Sequence, residues 1–230
     1  MIRRDYILRM LEEFFEVLSR IRALQKGQKW GEANQVAQKE FQELVGADSE
    51  TVSQLSETEL LARLIKGEPT LAVREKVLML TALLKEAGDI ACGSGNAEKS
   101  RACYLKGLHL LLDILAREGA FECPEFVPRV EAFLAVLDDS GVPLTTRAML
   151  MQHYERLADF AKAEDALFAM IESQPDNLDL LDFGIGFYRR LEHQSDAALV
   201  AGNLPRGELQ AGLAQLVARR SRDTAVQSPN

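Results

Sequence analysis

Between Pro69 and Gly93 the apolar side chains Val73, Val77, Leu80, Leu84, Ala87 and Ala91 stand alternately four and three residues apart. That spacing follows the period of about 3.6 residues of an α-helix with one buried side. The same rhythm recurs along the chain. No useful stretch alternates with the period of two that a half-buried strand requires. The sequence therefore predicts an all-α protein without a sheet, built from about eight to ten helices. Leu, Ala and Glu recur throughout and aromatics make up only 7%, which favours helices because these side chains lose little rotamer freedom there.

Glycine and proline divide the helices. The first is expected over Asp5 to Gln25 and to end at Gly27, and the second runs from Lys29 to Val45 with Gly46 closing it. Ser56-Glu-Thr-Glu59 reads as a capping box, in which hydroxyl and carboxylate each satisfy a free amide of the first turn. The short helix it opens should end near Gly67. Pro69-Thr70 opens the next helix, and Gly93-Ser-Gly95-Asn96 separates it from a helix over 97 to 118. After Cys123-Pro124 a helix is expected through Phe126, Val130, Phe133 and Leu137. Another starts at Pro143, and one through Ala163, Leu167 and Met170 stops at Pro175. Gly184 and Gly186 weaken the one after it, and a last amphipathic helix follows Pro205. The expected organisation is an N-terminal hairpin over 1–46, a repeat core over 47–200, a capping helix over 201–222 and a disordered tail over 223–230.

The first helix is apolar around more than half its circumference. Ile7, Leu11, Phe14, Leu18 and Ile21 make one stripe, Tyr6, Met10, Val17 and Leu24 a second, and Phe15 lies on a third side. One neighbour cannot cover such a helix. The surplus is either further core or a self-association surface. For the latter, Tyr6, Met10, Phe14, Phe15 and Leu18 are the candidates, because aromatics and Met are enriched at interface cores.

Two helix pairs resemble the tetratricopeptide repeat. One is Leu84-x-x-Ala87-Gly88-x-x-Ala91 followed by Ser100-x-x-x-Tyr104-x-x-Gly107. The other is Leu150-Met151-x-x-Tyr154, then Ala163-x-x-x-Leu167-x-x-Met170 with Pro175, where Met151 replaces the family's glycine and Leu167 its aromatic. A fainter pair joins Ile21 to Leu24 with Ala33 to Phe41. The resemblance implies a stack of helix pairs, an α-solenoid, with a concave groove lined by the first helix of each pair. In the family register the groove-facing residues here are Lys85, Asp89, Gln152 and Glu155. Some family members hold a peptide's terminal carboxylate with Lys and Asn at such positions. Here only Lys85 fits, and Asp89 and Glu155 would repel a carboxylate. Asp5-Tyr6-Ile-Leu-Arg9-Met-Leu-Glu12 also resembles the start of a bacterial family of helical proteins of unknown function. That resemblance carries no activity with it.

No constellation points to chemistry. Gly93-Ser-Gly95-Asn-Ala-Glu-Lys99-Ser100 echoes a phosphate loop, but Glu98 stands where a glycine should precede the lysine, and a helix leads in instead of a strand. The histidines, His109, His153 and His193, are too scattered to pair as metal ligands one helical turn apart. Cys92, Cys103 and Cys123 form no disulfide framework, which fits a reducing compartment. Carboxylate pairs such as Glu12-Glu13 and Asp138-Asp139 are adjacent, so they point to different sides of a helix. No catalytic residue, metal or cofactor is expected.

The net charge of −8 argues against a nucleic-acid partner. Arg219, Arg220 and Arg222, the densest basic cluster, suit a helix C-terminus better than a polyanion. Charged residues interrupt every apolar run of the first helix, so neither signal peptide nor membrane span is expected, and the chain is placed in the cytoplasm. The function these readings support is a protein-interaction module or scaffold. The alternative is a homo-oligomer assembled through the first helix, and an enzyme is the least favoured class.

Overall fold

The computed structural model describes residues 2–65, 70–117, 123–137 and 142–226. Among them it holds twelve helices and no strand: α1 (Ile2–Lys26), α2 (Trp30–Val45), α3 (Ser49–Gln54), α4 (Glu57–Ile65), α5 (Thr70–Gly93), α6 (Ala97–Arg117), α7 (Val130–Leu134), α8 (Leu144–Arg156), α9 (Phe160–Ser173), α10 (Leu178–Leu191), α11 (Asp196–Ala201) and α12 (Arg206–Val226). The count exceeds the eight to ten read from the sequence because α3, α7 and α11 are only five or six residues long. Helices that short carry too little periodicity to register as apolar stripes.

Local signals explain most boundaries. The capping box forms in full: the Ser56 amide donates to the Glu59 carboxylate at 2.9 Å and the Glu59 amide to the Ser56 hydroxyl at 3.2 Å. Asn96 caps α6 by accepting from the Lys99 amide at 3.0 Å. Phe126 lies in a turn, and the helix expected there shrinks to α7. Pro128 accounts for this, since it lacks an amide hydrogen and keeps the preceding residue out of helical geometry. At the other end, α12 runs through residues 223–226 of the tail expected to be disordered, and 227–230 lie outside the described residues. Gly67 and Gly141, expected helix ends, also lie outside them.

Four antiparallel hairpins, α1–α2, α5–α6, α8–α9 and α11–α12, turn in one way. The turn residue is left-handed in each: Gln28 (φ 55), Gly95 (φ 77), Ala158 (φ 56) and Asn203 (φ 56). The amide after it reaches back five residues, Lys29 to Leu24 at 2.9 Å, Asn96 to Ala91 at 2.8 Å, Asp159 to Tyr154 at 3.0 Å and Leu204 to Leu199 at 3.0 Å. This is the Schellman closure, which satisfies carbonyls left over at a helix end. Gln28, and not the neighbouring Gly27, takes the left-handed place in the first hairpin.

The chain divides into two compact units at Val142/Pro143, within the stretch read from sequence as a single core. In the first unit, α2 and α4 pack on α5, and α3 and α7 pack on α6. Phe14, Ile21, Phe41, Leu80 and Phe133 are buried there. In the second, α8 pairs with α9 and α10 with α12 around Met151, Leu167, Leu181 and Phe187. The starts of α8 and α10 lie thirty-four residues apart.

One contact type recurs in a helix pair of each unit. A β-carbon on Gly88 of α5 would stand 2.8 Å from the Tyr104 ring of α6. A β-carbon on Gly212 of α12 would overlap the Tyr188 ring and hydroxyl of α10. Both tyrosines are buried, and the Ser100 hydroxyl donates to the Gly88 carbonyl at 2.9 Å beside the first ring. Gly212→Ala should therefore lower stability by about 1–3 kcal/mol through overpacking, despite alanine's better helix propensity. Gly207→Ala in the same helix meets open space. It should leave stability unchanged or raise it by up to about 1 kcal/mol. Urea unfolding of the two variants would separate these outcomes.

Candidate functional site

Each unit carries a cleft, and the four groove residues named from the sequence fall into them two by two. Lys85 and Asp89 line a cleft of about 400 Å³ between α1, α5 and the 125–132 segment. Gln152 and Glu155 line one of about 580 Å³ between α8, the start of α9 and α10.

In the first cleft the charged side chains of α5 are paired within the unit. Lys85 and Asp89, one helical turn apart on α5, pair at 2.5 Å, and the Tyr104 hydroxyl donates to the other Asp89 oxygen at 2.5 Å. The neighbouring Glu86 is only 2% exposed, and its carboxylate accepts from Arg22 of α1 at 2.8 Å. Gln25 of α1 adds a bond to the Glu86 carbonyl at 3.2 Å. A buried carboxylate needs such a partner, because desolvation disfavours its charge. Thus α1 occupies part of the face on which Lys85 and Asp89 stand. Phe126, Val127 and Pro128 form an apolar wall of what remains.

The second cleft is the larger of the two. Its floor is apolar, with Phe160 and Leu191 buried and Phe183 half-buried. Gln152 and Gln194 are exposed at its rim. Arg190 of α10 clamps Glu155 of α8 through two bonds, Nε at 2.7 Å and the second guanidinium nitrogen at 2.8 Å. Bidentate pairing of this kind fixes geometry as well as charge. Amide side chains can both donate to and accept from a peptide backbone. Phe183 and Arg190 were not visible as site residues in the sequence. The signal that could have found Phe183 is an aromatic lying off the buried stripe of Leu181, Gly184, Ile185 and Tyr188. No local signal ties Arg190 to a residue thirty-five positions earlier.

Several further titratable groups have structural partners. Lys106 donates to the Leu55 carbonyl at 2.6 Å and to Glu57 at 3.0 Å, with His109 Nδ1 3.6 Å from the same Glu57 oxygen. Burial pushes the Glu57 carboxyl upward, but the bond and charge of Lys106, with His109, outweigh it and hold it below the usual range. Burial lowers the His109 pKa, which disfavours the charged imidazolium. His153 stacks at a tilt on Tyr154, and His193 is exposed. Burial pushes the Cys103 thiol up to about 11. Partial desolvation, then the Glu75 carboxylate, raises that of the exposed Cys123. A raised thiol pKa works against nucleophilic chemistry. Among the described residues no group of three or more His, Cys, Asp and Glu could hold a metal ion. The phosphate-loop echo is the α5–α6 turn, with Lys99 and Ser100 inside α6. Of the basic cluster, Arg219 donates to the Pro175 carbonyl at 2.6 Å and Arg220 pairs with Asp182 at 2.9 Å. No described helix is long and apolar enough to cross a membrane.

The five candidate self-association residues divide. Phe14 and Leu18 are core, 1% and 2% exposed, with Phe14 edge-on to Phe126. Met10 is half-buried, while Tyr6 and Phe15 are exposed.

Taken together, the described residues form an all-α protein of paired antiparallel helices with a polar-rimmed cleft in each unit. The chain belongs to the family of unknown function DUF6483, whose model matches residues 1–221. No curated protein and no solved structure matches it.

Both packing tyrosines give a pH test. Burial raises the Tyr104 and Tyr188 phenols well above their usual value, and the hydrogen-bonded Asp89 and Glu164 carboxylates raise them further. The folded protein therefore retains these protons where the unfolded chain, with phenols near about pH 10, releases them. The stability they contribute is fully present below that pH and is lost as pH rises above it. Unfolding titrations above about pH 10 should show a steep loss. Tyr104→Phe combined with Tyr188→Phe should flatten that limb while costing about 1–3 kcal/mol at neutral pH.

Proposed function

We propose that this protein is an interaction module or scaffold of tetratricopeptide-like type, whose second unit takes a peptide segment of a protein partner in the α8/α10 cleft. The observation that carries this reading is the apolar floor of Phe160, Phe183 and Leu191 beneath an amide and ion-pair rim. A partner's large apolar side chain would rest on the floor, and Gln152 and Gln194 would meet its backbone. The thirty-four-residue offset between α8 and α10 supports the repeat reading, since that is the tetratricopeptide period of about 34 residues. So do the four alike hairpin closures. Stacked as a solenoid, such pairs would present grooves without needing catalytic groups.

The first unit enters less directly. Lys85 and Asp89 are engaged with each other and with Tyr104, and α1 covers part of their face. We place the primary contact at Gln152 and Glu155, with Phe183 and Arg190 added. The proposal has the protein acting in the cytoplasm without cofactor or catalysis and not on nucleic acid.

The test is affinity capture from the native cell with mass spectrometry, followed by binding measurements with the recovered partner's peptides. Phe183→Asp combined with Gln152→Ala should weaken binding at least about tenfold, whereas Lys85→Ala should change it less than about threefold. Equal binding by all variants would remove the cleft from the function.

A further inference from the structure

Helix α1 has a second apolar face that its own unit leaves open. Ile7, Phe14, Leu18 and Ile21 are buried. Beside them Leu8 is 51% exposed and Phe15 43%, with half-buried Leu11 between, at helical spacings of three and four. The stripe is held firmly. The Phe126 ring lies edge-on to Phe15 at 5.2 Å and to Phe14 at 5.8 Å, tying the exposed ring to the core. Exposed large apolar groups in a row mark an interaction surface.

Alongside this stripe runs a line of exposed charges, Asp5, Arg9, Glu12, Glu16 and Arg20, spaced four, three, four and four residues apart. These spacings keep all five on one side of the helix. None of them takes part in an ion pair with a described residue. Their signs read minus, plus, minus, minus, plus. Laid against itself in reverse, the line matches at four of its five places. Laid in parallel, every charge would meet its own copy.

We infer that α1 is a homodimerisation helix, pairing antiparallel with α1 of a second copy across Leu8, Leu11 and Phe15. The register sets Asp5 against Arg20 and Arg9 against Glu16. Two-fold symmetry makes each of these pairs twice, as an isologous interface requires. Glu12 alone meets its own copy, at the axis. The charges select orientation and register more than they add affinity, and the apolar stripe supplies the attraction. With a net charge of −8 on each chain the association is weakened at low salt. This surface belongs to the first unit and is independent of the α8/α10 cleft, so failure of either reading leaves the other standing.

The experiment is sedimentation velocity and light scattering of the full chain over a wide range of concentration, with circular dichroism confirming that each variant is folded. The wild-type chain should form a dimer that Phe15→Glu abolishes. Arg9→Glu or Glu16→Arg alone should raise the dissociation constant at least about tenfold, and the two together should restore it. Glu12→Gln should tighten it. A chain that stays monomeric at the highest concentration overturns the proposal. So does a dimer indifferent to the single charge reversals, or one that the double reversal fails to restore.

Discussion

At Gly88 and at Gly212 two helices come so close that a phenol ring fills the space where a β-carbon would stand. The approach buries a large flat surface against bare backbone. It also carries the phenol hydroxyl to a carboxylate, Asp89 from Tyr104 and Glu164 from Tyr188. Each ring so placed satisfies its polar end within the protein, as a buried tyrosine must. The α5–α6 pair and the α10–α12 pair both depend on this arrangement, one in each unit. Around it the other apolar side chains find their places, because close-packed interiors tolerate few voids.

The same economy of polar groups governs the clefts. In the first unit, the charged side chains of α5 that face the cleft are spoken for: Lys85 by Asp89, and Glu86 by Arg22. A ligand would have to displace those pairs and leave a buried carboxylate exposed to its full desolvation cost. In the second unit the Glu155–Arg190 clamp lies across a cleft whose floor is aromatic and aliphatic. Both clefts thus hold charges paired within their own unit.

The first helix illustrates how a surplus of apolar side chains is divided. The stripe of Ile7, Phe14, Leu18 and Ile21 is absorbed by the fold, with Phe14 edge-on to Phe126. Tyr6, Leu8 and Phe15 stay in contact with water, the last two beside an ordered line of charges. A sequence pattern of this width states that more than one neighbour is needed, and burial then identifies which side chains still lack one.

Helix content and the capping box at Ser56 and Glu59 were legible in the sequence. Each rests on residues within a few positions of one another, or on a periodicity that a helix imposes by itself. The α7 segment was misjudged where Pro128 outweighed an apolar spacing. The boundary at Val142/Pro143, the Arg22–Glu86 bond across sixty-four residues and the Arg190–Glu155 clamp had no local trace. The helical character of this chain is set by its sequence alone, because backbone hydrogen bonds and apolar period are local properties. Only the tertiary structure decided which charges neutralise one another and which apolar faces remain open, because those outcomes depend on which distant segments come within a few ångströms.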